Sequence, residues 1–197
     1  MIQEFEGTSW VGLVPFRMES VMRRSLPDLP WISAFPELNL RLYVEHEGKP
    51  GIWFLSLDAA NPLAVFAARK LFGLPYHWAR MRVESSAREI RYRSVRRSAS
   101  EVDFRATYGP TAASYETTWG TLEHWLTERY CLYARASGGR LYRTEIHHRP
   151  WPLQPAVADI GRNGLFDPHG IHCDGPPTLL HFSERLDVLV WAPTPID

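Results

Sequence analysis

The 197-residue sequence predicts a mainly β fold of the α+β class, a curved antiparallel β-barrel carrying two or more short helices. Three observations point to it. Runs rich in Val, Ile, Leu, Tyr, Phe and Trp recur at short spacing, separated by clusters of Gly, Pro, Asn and Ser. Two isolated segments carry helical spacing with matching caps. No repeat or low-complexity tract divides the chain, and the 16 prolines are scattered rather than gathered in a linker, so residues 1–197 read as one domain. A chain of this size buries roughly 70% of its unfolded surface, enough to enclose a ligand cavity.

The first element, TSWVGLVPFRM (8–18), reads as a buried strand, and RSLPDLPWISAFPE (24–37) as a long irregular connection. LNLRLYVEH and GIWFLSLD flank the turn EGKPG, giving a hairpin whose second strand ends near Asp58. A helix follows. Asn61 is a natural N-cap, Pro62 suits the first helical position, Gly73 closes the helix and Pro75 blocks its continuation. Leu63, Phe66, Ala67 and Lys70/Leu71 share one face of it. From Tyr76 onward, YHWARMRVES, REIRYRSVR and EVDFRATYG read as three successive antiparallel strands. A second helix is predicted at TLEHWLTERY (121–130), with Thr121 as cap and Glu123 in its first turn. It feeds the hairpin CLYAR-ASGG-RLYRTEIHH through a Gly-Gly turn, and LDVLVWA reads as one more buried strand.

Composition removes several function classes. Acidic and basic residues balance at 22 each, so no overall field draws the protein to nucleic acid or an anionic membrane. The absence of an apolar run of 18 residues, and of a basic segment followed by a long apolar one at the start, predicts a soluble cytoplasmic protein. Cys131 and Cys173 stand apart without metal-ligand or disulfide spacing, so neither a metal nor another cofactor is expected. Aromatic residues make up 13% of the chain, including eight Trp, and such rings line small-molecule pockets as well as cores. Lys49 and Lys70 are the only lysines, which leaves few amines for imine chemistry.

Several polar groups compete for a functional role. Glu37, Arg41, Asp58 and His77 could converge inside a barrel, where a carboxylate beside a histidine suits acid–base work. Alternation places Glu37, Asn39 and Arg41 on the strand face opposite Leu38, Leu40 and Leu42, a face that is solvent-directed by default. His147 and His148, being adjacent on a strand, point to opposite faces and cannot share a metal. His169 and His172, beside Asp167, Cys173 and Asp174, match no ligand motif and read as a structural or solvated loop. Ser33, Ser56 and Ser183 lack a nucleophile-elbow context, and Cys131 reads as buried and inert. The arginines at 80, 82, 88, 91, 93, 96 and 97, diluted by acids, read as a solvated barrel exterior.

The segments WVGLVPFRM, FPELNLRLYV, GIWFLSLDA, LPYHWARM, LTERYCLY, IHHRPWPLQ and LLHFSERLDVLVW together resemble the bacterial DUF2071, or YqjF-like, family along nearly the whole chain. The resemblance implies a fold similar to the acetoacetate decarboxylase-like superfamily, a curved antiparallel barrel around an internal pocket. Relative to that family the chain, starting at Met1 just upstream of Phe5, reads as lacking an N-terminal stretch, as a shortened product or a displaced start would. In the decarboxylases a helix ends in Gly-Arg-Glu, and an aromatic, a proline and two lysines follow. Here FPE resembles the acidic strand and places Glu37 at its carboxylate, facing inward. ARKLFGLPYH resembles the helix end, matching Arg69 to the arginine, Lys70 to the glutamate, and Tyr76 and His77 to the two lysines. Tyrosine forms no imine, so the resemblance implies that Schiff-base decarboxylation is lost unless Lys70 swings in; Lys70 itself reads as a helix-end lysine complementing the dipole.

The combined expectation is a protein that binds a small carboxylate- or oxo-type organic molecule in the barrel. Arg69, Arg41, Asp58 and Lys70 are its ligand-binding candidates, and Tyr76, His77 and Glu37 its catalytic ones. One alternative is a lyase or hydratase in which Tyr76 or His77 moves protons while Glu37 orients them. Another is a filled barrel acting through a partner surface. The sequence leaves open whether the protein is an enzyme and does not state an oligomeric state.

Overall fold

A computed structural model describes residues 1–20, 34–136, 138–173 and 175–196. Most of the expected irregular connection, residues 24–33, lies outside the described residues, as do Ser33, Ser137 of the Gly-Gly turn and Asp174. Phe35–Glu37, assigned to that connection from sequence, are already strand.

The N-terminal half is a meander. A short ribbon of β1 (Glu4–Phe5) and β2 (Thr8–Ser9) precedes β3 (Val11–Met18), which pairs antiparallel with β4 (Phe35–His46). β4 turns into β5 (Lys49–Ala59) through Glu47 and Gly48, both at positive φ, so two residues suffice where five were expected. Leu55 of β5 is bulged out of the register, between the pairs Leu40/Ser56 and Arg41/Phe54. Helix α1 (Pro62–Phe72) starts where predicted: the Asn61 side chain accepts from the amides of Leu63 and Ala64 at 3.0 and 3.2 Å. It stops at Gly73, whose φ of 65° is the left-handed exit; there a Cβ would press on the Ala136 backbone at 3.1 Å.

The second half adds two wings to β5. β6 (Tyr76–Ser85) pairs parallel with Leu57–Ala59, and β7 (Ile90–Arg96), β8 (Asp103–Pro110), β11 (Gln154–Asn163) and β12 (His181–Phe182) follow antiparallel in that order. After α2 (Leu122–Thr127), β9 (Cys131–Arg135) pairs parallel with Ile52–Trp53 on the same edge of β5. Then come β10 (Leu141–His148), β13 (Val188–Val190) and β14 (Thr194–Ile196), the last two both on β10.

Among the described residues the protein is therefore mainly β with two helices, and its strand path is open rather than a ring. One edge of β5 is divided between two partners, so the sheet forks there instead of closing, and both pairings at the fork are parallel rather than antiparallel. The four β7, β8, β11 and β6 strands curl over β3–β4, sealing Leu38, Leu40, Tyr92, Phe104, Ala106 and Leu165 into the main core. Each such buried leucine contributes about 1.5–3 kcal/mol. The opposite face of β4–β5 is covered by α1 and α2, with Val65, Leu74 and Trp125 against Phe35, Ala59, Leu57 and Tyr43.

Three expectations are corrected. The stripe Leu63, Phe66, Ala67, Lys70/Leu71 faces solvent, and Phe66 is 65% exposed; α1 packs instead through Ala64, Val65 and Phe72. α2 is shorter than 121–130 because the Arg129 side chain takes the Trp125 carbonyl at 2.6 Å and Glu128 already ends the helix. The predicted buried strand LDVLVWA is a three-residue strand exposed on both sides, since it adds to the outer edge of β10 with no layer beyond it among the described residues.

Candidate functional site

Alternation along β4 and the β4–β5 register decide which polar groups meet. Glu37, Asn39, Arg41 and Tyr43 lie on the helix-covered face. Asp58 pairs with Leu38 and Ser56 with Leu40, so both belong to the wing-covered face. Tyr76 and His77 are consecutive in β6 and divide the same way, Tyr76 beside Leu57 and His77 beside Asp58. The expected convergence of Glu37, Arg41, Asp58 and His77 does not occur. Two separate polar centres take its place, on opposite faces of one sheet.

The helix-face centre joins Glu37 to Tyr76. Tyr76 is delivered by the turn after Gly73, where the Pro75 carbonyl accepts from the Leu57 amide at 3.1 Å. Its phenol donates to Glu37 Oε2 at 2.9 Å. Glu37 is 4% exposed and Asn39 5%, so this face is buried, not solvated. Burial pushes the Glu37 carboxyl up to about 7, the bond from Tyr76 opposing it in part. Burial and the neighbouring Glu37 hold the Tyr76 phenol well above its ordinary range. Arg69 acts on this loop from outside: its Nε donates to the Tyr76 backbone carbonyl at 2.6 Å. Lys70 is exposed on α1 with its ammonium 5.8 Å from the Phe66 ring centre, away from both centres.

The interior centre lies between the β4–β5 hairpin and the curled wing. Arg96 of β7, 4% exposed, donates from Nε to Asp58 Oδ1 at 2.8 Å, and Ser94 Oγ lies 3.5 Å from Oδ2. Burial raises Asp58 above the usual carboxylate range and Arg96 restrains the rise. His77 is driven down to about 4, chiefly by burial and then by Arg96, Arg69 and His169, so it is neutral at physiological pH. Three buried atoms in this neighbourhood have no hydrogen-bond partner among the described residues: Arg96 Nη2, Ser56 Oγ and His169 Nε2. A cationic donor, a hydroxyl and neutral imidazoles set in an apolar core can receive a carboxylate and an adjacent carbonyl oxygen.

Arg96 was misread from sequence as part of a solvated arginine series. Its parity gives the signal: Arg91 and Arg93 alternate with Tyr92, Ser94 and Arg96, and the buried Tyr92 marks the inward face. His169, read as a loop residue, does sit in a short 3-10 turn, yet burial and the Arg96 charge both disfavour its protonation. His148 is buried and stacked on Tyr130 with ring centres 4.7 Å apart, and exposed His147 lies against the same ring at 6.4 Å. Cys131 is fully buried, with burial raising its thiol pKa. Among the described residues no group of three His, Cys, Asp or Glu side chains is placed to hold a metal ion. Among them, too, no helix is long and apolar enough to cross a membrane. A cleft of about 210 Å3 opens at the fork, lined by Trp53, Phe54, Leu74, Pro75, Tyr133 and Arg135 among others.

Sequence comparison shows the family and structural comparison the fold. Residues 1–187 match the DUF2071 family, described as an uncharacterized conserved protein. The uncharacterized protein YqjF of Bacillus subtilis (strain 168) is 44% identical over 190 residues, covering 96% of this chain and 78% of that protein. Acetoacetate decarboxylase from Legionella pneumophila superposes with a TM-score of 0.57 at 12% identity, over 84% of this chain and 68% of that one. The enduracididine biosynthesis enzyme MppR, complexed with pyruvate, superposes with a TM-score of 0.51 at 13% identity, over 83% and 65%. At such identities the likeness is one of fold.

Proposed function

We propose that this chain, which belongs to the DUF2071 family, binds a small carboxylate- or oxo-bearing organic molecule inside the cup formed by the β4–β5 hairpin and the curled wing, without forming an imine. The observation that carries the reading is Arg96: a guanidinium in the core, tied to Asp58 through Nε and with Nη2 unpartnered among the described residues. A ligand carboxylate completes its hydrogen bonding, while Asp58 balances its charge and fixes its orientation. Neutral His77 and Ser56 Oγ are then the partners for an oxo oxygen. The fold is also that of MppR, a protein complexed with a 2-oxo acid.

Imine chemistry has no amine in this arrangement. Lys49 is bound to Glu145 at 2.6 Å and Lys70 is exposed over Phe66. Borohydride reduction in the presence of pyruvate should leave the protein mass unchanged, and an adduct on Lys70 would refute this part of the reading. Calorimetric titration with pyruvate should show binding that weakens at least about tenfold in Ser56→Ala and Arg96→Lys. Equal affinity in both variants, or no binding to the wild type, would remove the interior centre as the site. Both cysteines are unpaired, in keeping with a reducing, cytoplasmic setting.

A second reading, a lyase or hydratase, is favoured by one observation: Glu37 is a carboxyl poised near 7 with a phenol 2.9 Å away. His77 lies on the other face, so proton transfer in this reading belongs to Glu37 and Tyr76 alone. Its mark is enzyme-dependent exchange of a bound oxo acid's α-protons into deuterated water. That exchange should disappear in Tyr76→Phe and Glu37→Gln, and its persistence in both would exclude the dyad.

A further inference from the structure

We propose that Arg41 and Arg129 form a second oxyanion-binding site, on the helix-covered face of β4 and separate from the interior centre. Arg129 is 5% exposed, yet its partners are neutral: Nε donates to the Trp125 carbonyl and Nη1 to Gln3 Oε1, while Nη2 is buried with no partner among the described residues. Half-buried Arg41 makes one long hydrogen bond, 3.4 Å to the Tyr43 hydroxyl. Both guanidinium groups lie over the Tyr43 ring, at 5.6 and 5.4 Å from its centre, and Arg129 also covers Trp125 at 4.1 Å. Among the described residues neither cation forms an ion pair. The carboxylate of Glu45 is held by the Gln3 amide, so Gln3 stands between it and Arg129.

Two guanidinium groups gathered on one ring repel each other, and Glu45, whose charge favours that of Arg129, reaches it only through Gln3, so the buried cation lacks a direct ion pair. Burial above all, and the Arg41 charge, bring Arg129 down to about 10 against the opposing influence of Tyr43, Cys131 and Glu45, and it is still protonated at neutral pH. The arrangement is stabilised by an anion that takes Arg129 Nη2 and the outer nitrogens of Arg41 together. The backbone lets the Arg41 and Tyr43 side chains approach closely. At Gly12, paired with Arg41 across β3 and β4, a Cβ would stand 2.8 Å from the Tyr43 hydroxyl and 3.1 Å from Arg41 Nε. Trp10, just before β3 and packed in the Tyr43 cluster, has a buried indole N–H without a partner among the described residues. The shared chemistry is an oxyanion, carboxylate or phosphate, with Trp10 and Trp125 beside it as aromatic walls.

The test is a tryptophan-fluorescence titration of the full chain with two probes, inorganic phosphate and benzoate. Benzoate alone would mark a carboxylate with a flat apolar body, phosphate alone a phosphate ester, and both a general oxyanion site; each supports the proposal. Saturable binding should weaken at least about tenfold in Arg41→Gln and Gly12→Ala and stay unchanged in Ser56→Ala. Arg129→Lys, which keeps the charge and loses the fork, provides a variant with less risk to folding than removal of the cation. No saturable response to either probe, or wild-type affinity in Arg41→Gln, overturns the proposal. Binding lost in Ser56→Ala and kept in Arg41→Gln also overturns it, while leaving the interior site standing.

Discussion

Glu37 and His77 make opposite demands on pH. Glu37 titrates near 7 in the fold against an ordinary 4.5, so the folded state holds the extra proton between those values and stability falls as pH rises through them. The effect is on the order of 3 kcal/mol. His77, lowered from 6.5 to about 4, is protonated earlier in the unfolded chain, so its contribution rises with pH over that window. Urea denaturation from pH 5 to 8 should therefore show Glu37→Gln losing the decline above pH 5, and His77→Gln losing the rise below pH 6.5. Identical pH profiles for wild type and both variants would contradict these environments. The Asp58–Arg96 pair makes a third prediction. Arg96→Met leaves a carboxyl buried alone and should cost about 3–5 kcal/mol, whereas Asp58→Asn with Arg96→Met should recover part of that loss. At this scale the sequence made Glu37, Tyr76 and His77 visible through their resemblance to a decarboxylase loop. It concealed the separation of Glu37 from Asp58 and His77, because that depends on which β5 residue stands beside Leu38, a matter of register rather than of local pattern.

Helix α1 divides what local sequence specifies from what packing decides. Its limits follow from Asn61, Pro62 and Gly73, and Asn61→Ala should lower stability by about 1 kcal/mol. Its buried face could not be read off, since both sides carry apolar residues and the sheet selects the smaller ones, Ala64 and Val65, for close approach. Thermal melts should accordingly show Phe66→Ala within about 0.5 kcal/mol of wild type and Val65→Ala losing about 1–3 kcal/mol. The reverse order would mean that the helix packs by its other face. β11 illustrates a different loss. Its inward residues include Ala156 and Ala158, and Pro155 and Gly161 interrupt the run, so the alternation that identifies a strand is faint although nine residues pair with β8 and β12.

The mainly β class was legible because strand-like runs and turn residues are local, and the decarboxylase-like fold because its loop outline survives. The fork was not. Parallel pairing of β5 with β6 and with β9 requires no turn between the partners, so nothing in the intervening sequence announces it. Contact with β9 spans about 80 residues of chain, and each partner holds β5 by only two or three residues. Hydrogen exchange should find β9, β10, β13 and β14 opening before the β4–β5 hairpin, which has ten register pairs and a layer on both faces. Uniform protection across both wings would show that the fork is not a line of weakness. The fork also sets the route of mechanical load. Tension between the two ends of the chain runs from β3 through β4 and β5 into β9, β10 and β14, and bypasses β6, β7, β8 and β11. A stretching experiment should peel the C-terminal wing away in a first, low-force event while the strands that enclose Asp58 and Arg96 remain assembled. In a crowded or translocating cell, the polar interior would be the last part of the molecule to feel the pull.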